Sequence, residues 1–156
     1  MRIDSNQLRC IARRLRGQTF MGGISRSASR IKYTGEHFTP APLVTELLNK
    51  IPKSQFRDPT KTVLDPACGD GQFLVEVLIR KLRGGSTFEQ ALSTIYGVDI
   101  MPDNVHRCRE RLLDGNEQYR HIVERNIVCA DASTYDYSFN KPSNTEVLEE
   151  ACEAMA

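Results

Sequence analysis

The sequence has no long apolar run, no CxxC pair and only three histidines. No apolar stretch approaches the roughly 20 residues that span a bilayer, so no membrane segment is expected. The N-terminus is polar and basic and lacks the apolar centre of a signal peptide, which makes the cytoplasm the expected compartment. The five cysteines (Cys10, Cys68, Cys108, Cys129 and Cys152) are scattered and odd in number. His37, His106 and His121 do not fall at zinc-ligand spacing. Free thiols are therefore expected, with neither a disulfide framework nor a metal site.

What remains is the composition of an ordinary globular chain: 156 residues, 40% hydrophobic and 26% charged. That length fits one domain with a real core. The net charge of +1 hides an asymmetry. Arg2, Arg9, Arg13, Arg14, Arg16, Arg26, Arg30 and Lys32 face only Asp4, whereas Glu146, Glu149, Glu150 and Glu153 stand without basic companions. The basic segment reads either as a phosphate-binding arm, with DNA as the partner, or as a solvated leader.

The chain divides into a basic arm (1–32), an α/β domain (33–140) and an acidic tail (141–156). A short helix is predicted over 6–16, with Leu8, Ile11, Ala12 and Leu15 on one face. A glycine- and serine-bearing stretch follows it. Pro42 opens a helix over 41–50. Val63-Leu64 reads as a buried strand ending at Asp65-Pro66, and Phe73, Leu74, Val77, Leu78 and Leu82 fall at helical spacing behind it. Further helices are predicted over 87–93, from Pro102 to Leu113 and over 118–124. The remaining strands are 95–98, closed by Asp99, and 127–130, closed by Asp131. Strands alternating with helices predict a parallel sheet. The tail places Val147, Leu148, Ala151 and Met155 at helical spacing.

The most informative string is Asp65-Pro66-Ala67-Cys68-Gly69-Asp70-Gly71-Gln72-Phe73-Leu74. A strand enters a glycine-bearing turn and leaves as a helix. Gly69 and Gly71 let backbone approach a ligand, and the helix start directs free N–H groups at it. Asp65 ends the strand, where open α/β sheets bind ligands, and can accept from an ammonium group. A dinucleotide fingerprint would want glycine at position 74, which is leucine. Asp99 either takes the two hydroxyls of a ribose, with Ile100 against an adenine ring, or serves the start of the helix at Pro102. Asp131 is either a ligand contact or a turn former.

The string from Asp65 to Leu74 resembles motif I, usually DPxCGxGxFL, of DNA adenine (N6) methyltransferases that use S-adenosylmethionine (SAM). Gly35-Glu36-His37-Phe38-Thr39-Pro40 is similar to the family's motif X, usually GxxFTP, and precedes motif I as in the gamma-type order. Asp99 and Asp131 stand where motifs II and III fall. The resemblance runs from about Tyr33 to Tyr137. It implies a partial Rossmann-like methyltransferase fold of about three parallel strands, with SAM as the cofactor. The implied pocket comprises Phe38, Thr39, Pro40, Asp65, Pro66, Ala67, Cys68, Gly69, Gly71, Phe73, Asp99, Ile100, Asp131 and Ala132. In it, Phe38 and Thr39 line the methionine end, while Asp131 and the amide of Ala132 read the adenine. His37 is an incidental loop residue, since methyl transfer from a sulfonium needs no imidazole.

The family's catalytic Asn-Pro-Pro-Tyr is not found; the nearest fragment, Asn140-Lys141-Pro142-Ser143, lacks the second proline and the aromatic. Three functions stay open: a methyltransferase of the DNA adenine type, truncated, split or part of a longer chain; a non-catalytic SAM-binding regulatory module; and an RNA or protein methyltransferase. With three strands, the edge of the first is expected to be open and apolar. The acidic tail, a second copy or another subunit would cover it.

Overall fold

The structure is a computed structural model that describes residues 3–17, 31–32 and 39–139. In chain order its elements begin with helix α1 (Ser5–Gly17), helix α2 (Ala41–Asn49) and the short α3 (Ser54–Arg57). Strand β1 (Val63–Asp65), helix α4 (Gln72–Gly84), the short α5 (Phe88–Leu92) and strand β2 (Ile95–Asp99) follow. Helix α6 (Pro102–Leu113), a 3-10 turn (Glu117–Tyr119), helix α7 (Arg120–Asn126) and strand β3 (Ile127–Cys129) complete the series. Elements match the sequence-based expectations to within a residue or two, apart from α3, a single helical turn that carries no periodic pattern. The third strand stops at Cys129, so Asp131 lies two residues beyond it.

Local chemistry explains most boundaries. Pro42 occupies the first turn of α2, where a missing N–H costs nothing. Gly85, at φ +104°, ends α4 in the left-handed conformation that glycine tolerates. Thr87 and Gln90 form a reciprocal capping box that starts α5.

The three strands form one parallel sheet in the order β1-β2-β3. Leu64 lies beside Tyr96, and Asp99 lies beside Cys129. Helix α4 is the centre of the core. It packs on α1, α2, α3, α5 and α6 and buries Leu74, Val77, Leu78 and Ile79 almost completely. Ala12 and Leu15 of α1 belong to the same core. Two ion pairs also link that helix to the rest of the fold: Arg16 donates to Glu76 at 3.0 and 2.9 Å, and Arg14 donates to Asp114 at 2.6 Å. Residues 5–17 of the basic segment are therefore part of the folded unit, with two of their arginines already engaged.

Among the described residues β1 pairs only with β2. No described residue pairs with its other edge, and Leu64 is 44% exposed. A groove of about 290 Å³ runs along that edge between α2 and α4, lined by Leu47, Ile51, Val63, Leu64 and Phe73. No described helix is long and apolar enough to cross a membrane. Residues 141–156 and Phe38 lie outside the described set.

Candidate cofactor site

The turn between β1 and α4 lies at the carboxyl ends of the strands. It is tight: Gly71 N–H donates to the Cys68 carbonyl at 2.8 Å, and Val75 N–H then takes the Gly71 carbonyl as the first bond of the helix. Gly69 (φ +53°) and Gly71 (φ +87°) are left-handed, a region that strains any residue with a Cβ. The helix opens here without a side-chain cap, so its first N–H groups still require acceptors. A ligand oxygen is one way to meet that requirement.

The turn is fastened to the end of β2. Cys68 N–H donates to the Val98 carbonyl, and Gly69 N–H donates to Asp99 Oδ2, both at 2.9 Å. Asp99 Oδ1 accepts from Met101 N–H at 2.9 Å and from the Asn104 amide at 3.3 Å. The side chain thus supports the start of α6, one of the two roles open to it, and also holds the glycine turn. A carboxylate offers about four lone-pair sites, so three donors leave room for a ligand hydroxyl. Beside it, Ile100 is 55% exposed, an apolar side chain offered to whatever lies over the strand end.

Asp65 lies close enough to Asp99 for the two carboxylates to repel each other. Burial pushes the Asp65 carboxyl above the usual carboxylate range; the Ala67 N–H, donated at 3.1 Å, opposes that rise, and Asp99 adds to it. A desolvated carboxylate with one backbone donor and an acidic neighbour is matched by a cationic ligand group. Asp65 and Pro66 also border the groove along β1, together with Phe73.

Asp131 sits on the same side, because Ala130 N–H donates to the Asp99 carbonyl at 3.0 Å. Its Oδ1 accepts from the Ser133 N–H at 2.8 Å and the Ser133 hydroxyl at 2.6 Å. Those two bonds hold the carboxyl below the usual range. Asp131 is therefore a turn former here, and its Oδ2 takes no hydrogen bond from the described residues. Thr39 and Pro40 lead directly into α2, whose first turn adjoins the start of α4 across a cavity of about 390 Å³. Cys68 is buried, and the neighbouring Cys108 thiol together with desolvation pushes its thiol up. It is packing material, not a nucleophile.

The family model for N-6 DNA methylases matches residues 19–146. The chain belongs to the N-6 DNA methylase family. For a DNA N6-adenine methylase, membership implies SAM as the methyl donor and DNA as the substrate. No solved structure matches the chain. The three-stranded parallel sheet with flanking helices agrees with a partial Rossmann-like methyltransferase fold.

Three features of the site were not evident from the sequence. A Cβ at Gly97 would lie 2.9 Å from Leu74 and 3.0 Å from the Cys68 sulfur, so that glycine lets the turn and α4 approach β2. Glycine inside a strand is the one signal that marks such an approach. Asn104 braces Asp99, and Arg111 reaches the turn from α6. Neither has a local signature, since each acts across the fold.

Proposed function

We propose that this chain binds SAM across the ends of its three strands and supplies the cofactor half of a DNA N6-adenine methyltransferase. The supporting observation is the convergence of Asp65, the Gly69–Gly71 turn and Asp99 within one hydrogen-bonded unit. In this reading Asp65 accepts from the cofactor ammonium, and Asp99 accepts from the ribose hydroxyls. Ile100 covers one face of the adenine. Asp131 Oδ2 and the Ala132 amide meet the adenine edge. Thr39 and Pro40 border the methionine end, and Pro66, Ala67, Cys68 and Phe73 shape the wall. When bound, SAM supplies a methyl group on a positively charged sulfonium. The residues contribute positioning, the dominant factor in an in-line displacement.

The open edge of β1 is the place where a further strand would bring a target-base site. A second copy, another subunit or the acidic tail would provide that cover. DNA is the substrate partner, and its adenine must leave the stack to be reached. A second reading, which needs the chain to be complete at Ala156, is a non-catalytic SAM-binding module that regulates a partner.

Isothermal titration with SAM tests the binding step, and the expected result is one saturable site per chain. Absence of heat at millimolar SAM refutes it. Transfer of labelled methyl onto adenine-containing DNA, alone or with a partner, separates enzyme from module.

A further inference from the structure

The guanidinium of Arg111, on α6, reaches the motif I turn. Nη1 donates to the Asp70 carbonyl at 2.9 Å and stands 3.0 Å from Asp70 Oδ1, and Nη2 donates to Gln72 Oε1 at 2.9 Å. One side chain on α6 thus grips both residues that flank Gly71. The grip is dry: Asp70 is 1% exposed and Arg111 6%. One turn earlier on the same helix, the Cys108 sulfur would lie 2.7 Å from a Cβ at Gly71. The inner face of α6 therefore fits the turn on both sides of its left-handed glycine.

A buried ion pair is a poor source of stability, because desolvation cancels much of the attraction. It does impose one geometry on the groups it joins. The turn needs such a constraint, since two glycines within three residues leave a free chain many conformations. We propose that Arg111 is a positioning residue for the cofactor, holding the 69–72 backbone in its binding conformation before SAM arrives. The same guanidinium lines the cavity beside Pro42 and Val44, so it stands between the turn and the helix that follows Thr39-Pro40. The role rests on the SAM-binding reading above.

The test compares SAM affinity, thermal melting and amide hydrogen exchange in the wild type, Arg111→Lys and Gln72→Ala. Arg111→Lys keeps a charge for Asp70 and loses the fork that also reaches Gln72. The expected result is a melting transition near that of the wild type, about tenfold weaker SAM binding, and faster exchange confined to Gly69–Gln72. A merely structural role would lower melting without a selective loss of affinity. If Arg111→Lys does not fold, Gln72→Ala carries the test, because it removes one strut and no charge; about threefold weaker binding is expected. A folded Arg111→Lys, or failing that Gln72→Ala, binding SAM within twofold of the wild type overturns the role alone. A wild type that ignores SAM overturns the cofactor reading, and this role with it.

Discussion

Gly71→Ala is the substitution whose cost follows most directly from the structure. Glycine at φ +87° becomes alanine in a left-handed conformation, which costs about 1–2 kcal/mol. The new methyl would lie 2.7 Å from the Cys108 sulfur and 3.4 Å from its Cα and Cβ. Cys108 is 0% exposed, so the sulfur has no open space to move into. Overpacking of this kind costs about 1–3 kcal/mol. The two effects together predict a loss of about 2–5 kcal/mol in unfolding free energy. Cys108→Ala alone leaves a small void, at a cost on the order of 1 kcal/mol. In the double variant the new methyl occupies that void, so only the backbone strain remains. Urea unfolding of the four proteins, analysed as a double-mutant cycle, should therefore give a favourable coupling of about 2–4 kcal/mol, the relieved overpacking together with the filled void. Additivity within about 0.5 kcal/mol, or a Gly71→Ala cost below about 1 kcal/mol, would refute the packing of α6 against this turn.

Other substitutions separate cofactor contacts from structural ones. Asp99→Ala should weaken SAM binding by an order of magnitude or more, since a charged acceptor to hydroxyls contributes about 1.5–3 kcal/mol; unchanged titration curves would remove Asp99 from the site. For Asp65 the raised native carboxyl binds its proton to higher pH than the unfolded chain does, so its contribution favours folding at low pH and fades as pH rises through the native value. Asp65→Asn should thus melt no lower than wild type at neutral pH while losing at least tenfold in SAM affinity; a lower melt with intact binding would contradict that assignment. Leu15→Ala, at a fully buried position of α1, should cost about 2–5 kcal/mol. Arg16→Ala should cost less than about 1 kcal/mol, because Arg16 is half exposed and Arg80 still stands 3.4 Å from Glu76. The reverse ranking in urea would mean that charge, not burial, seats α1.

Much of this fold is legible in the chain because its signals are local. Pro42, Gly85 and Pro102 punctuate helices where the sequence places them, and short apolar runs ending in aspartate mark β1 and β2. Asp65, Gly69, Gly71 and Asp99 are legible for the same reason, as a strand end, a turn and a second strand end. The bonds among them are not. Gly69 and Asp99 are 30 residues apart, and Asp70 and Arg111 are 41 apart. No periodicity records which arginine of a basic helix turns inward. Arg111 follows Arg107 and Arg109 in sequence, yet only Arg111 faces the turn; Arg107 is exposed, and Arg109 donates to the Ile127 carbonyl. Asp131 shows the converse limit. One aspartate after a strand serves equally as ligand contact or turn former, and only the bonds from Ser133, two residues on, show that Oδ1 forms the turn while Oδ2 takes no bond from the described residues.

The most direct test of the shared cofactor site is a titration of isotope-labelled protein with SAM, followed by amide resonances. Gly69, Gly71, Ile100, Met101 and Ala132 should shift together along one binding curve, because a single ligand touches all three strand ends. Shifts confined to one strand end, shifts following separate curves, or none at millimolar SAM would contradict it.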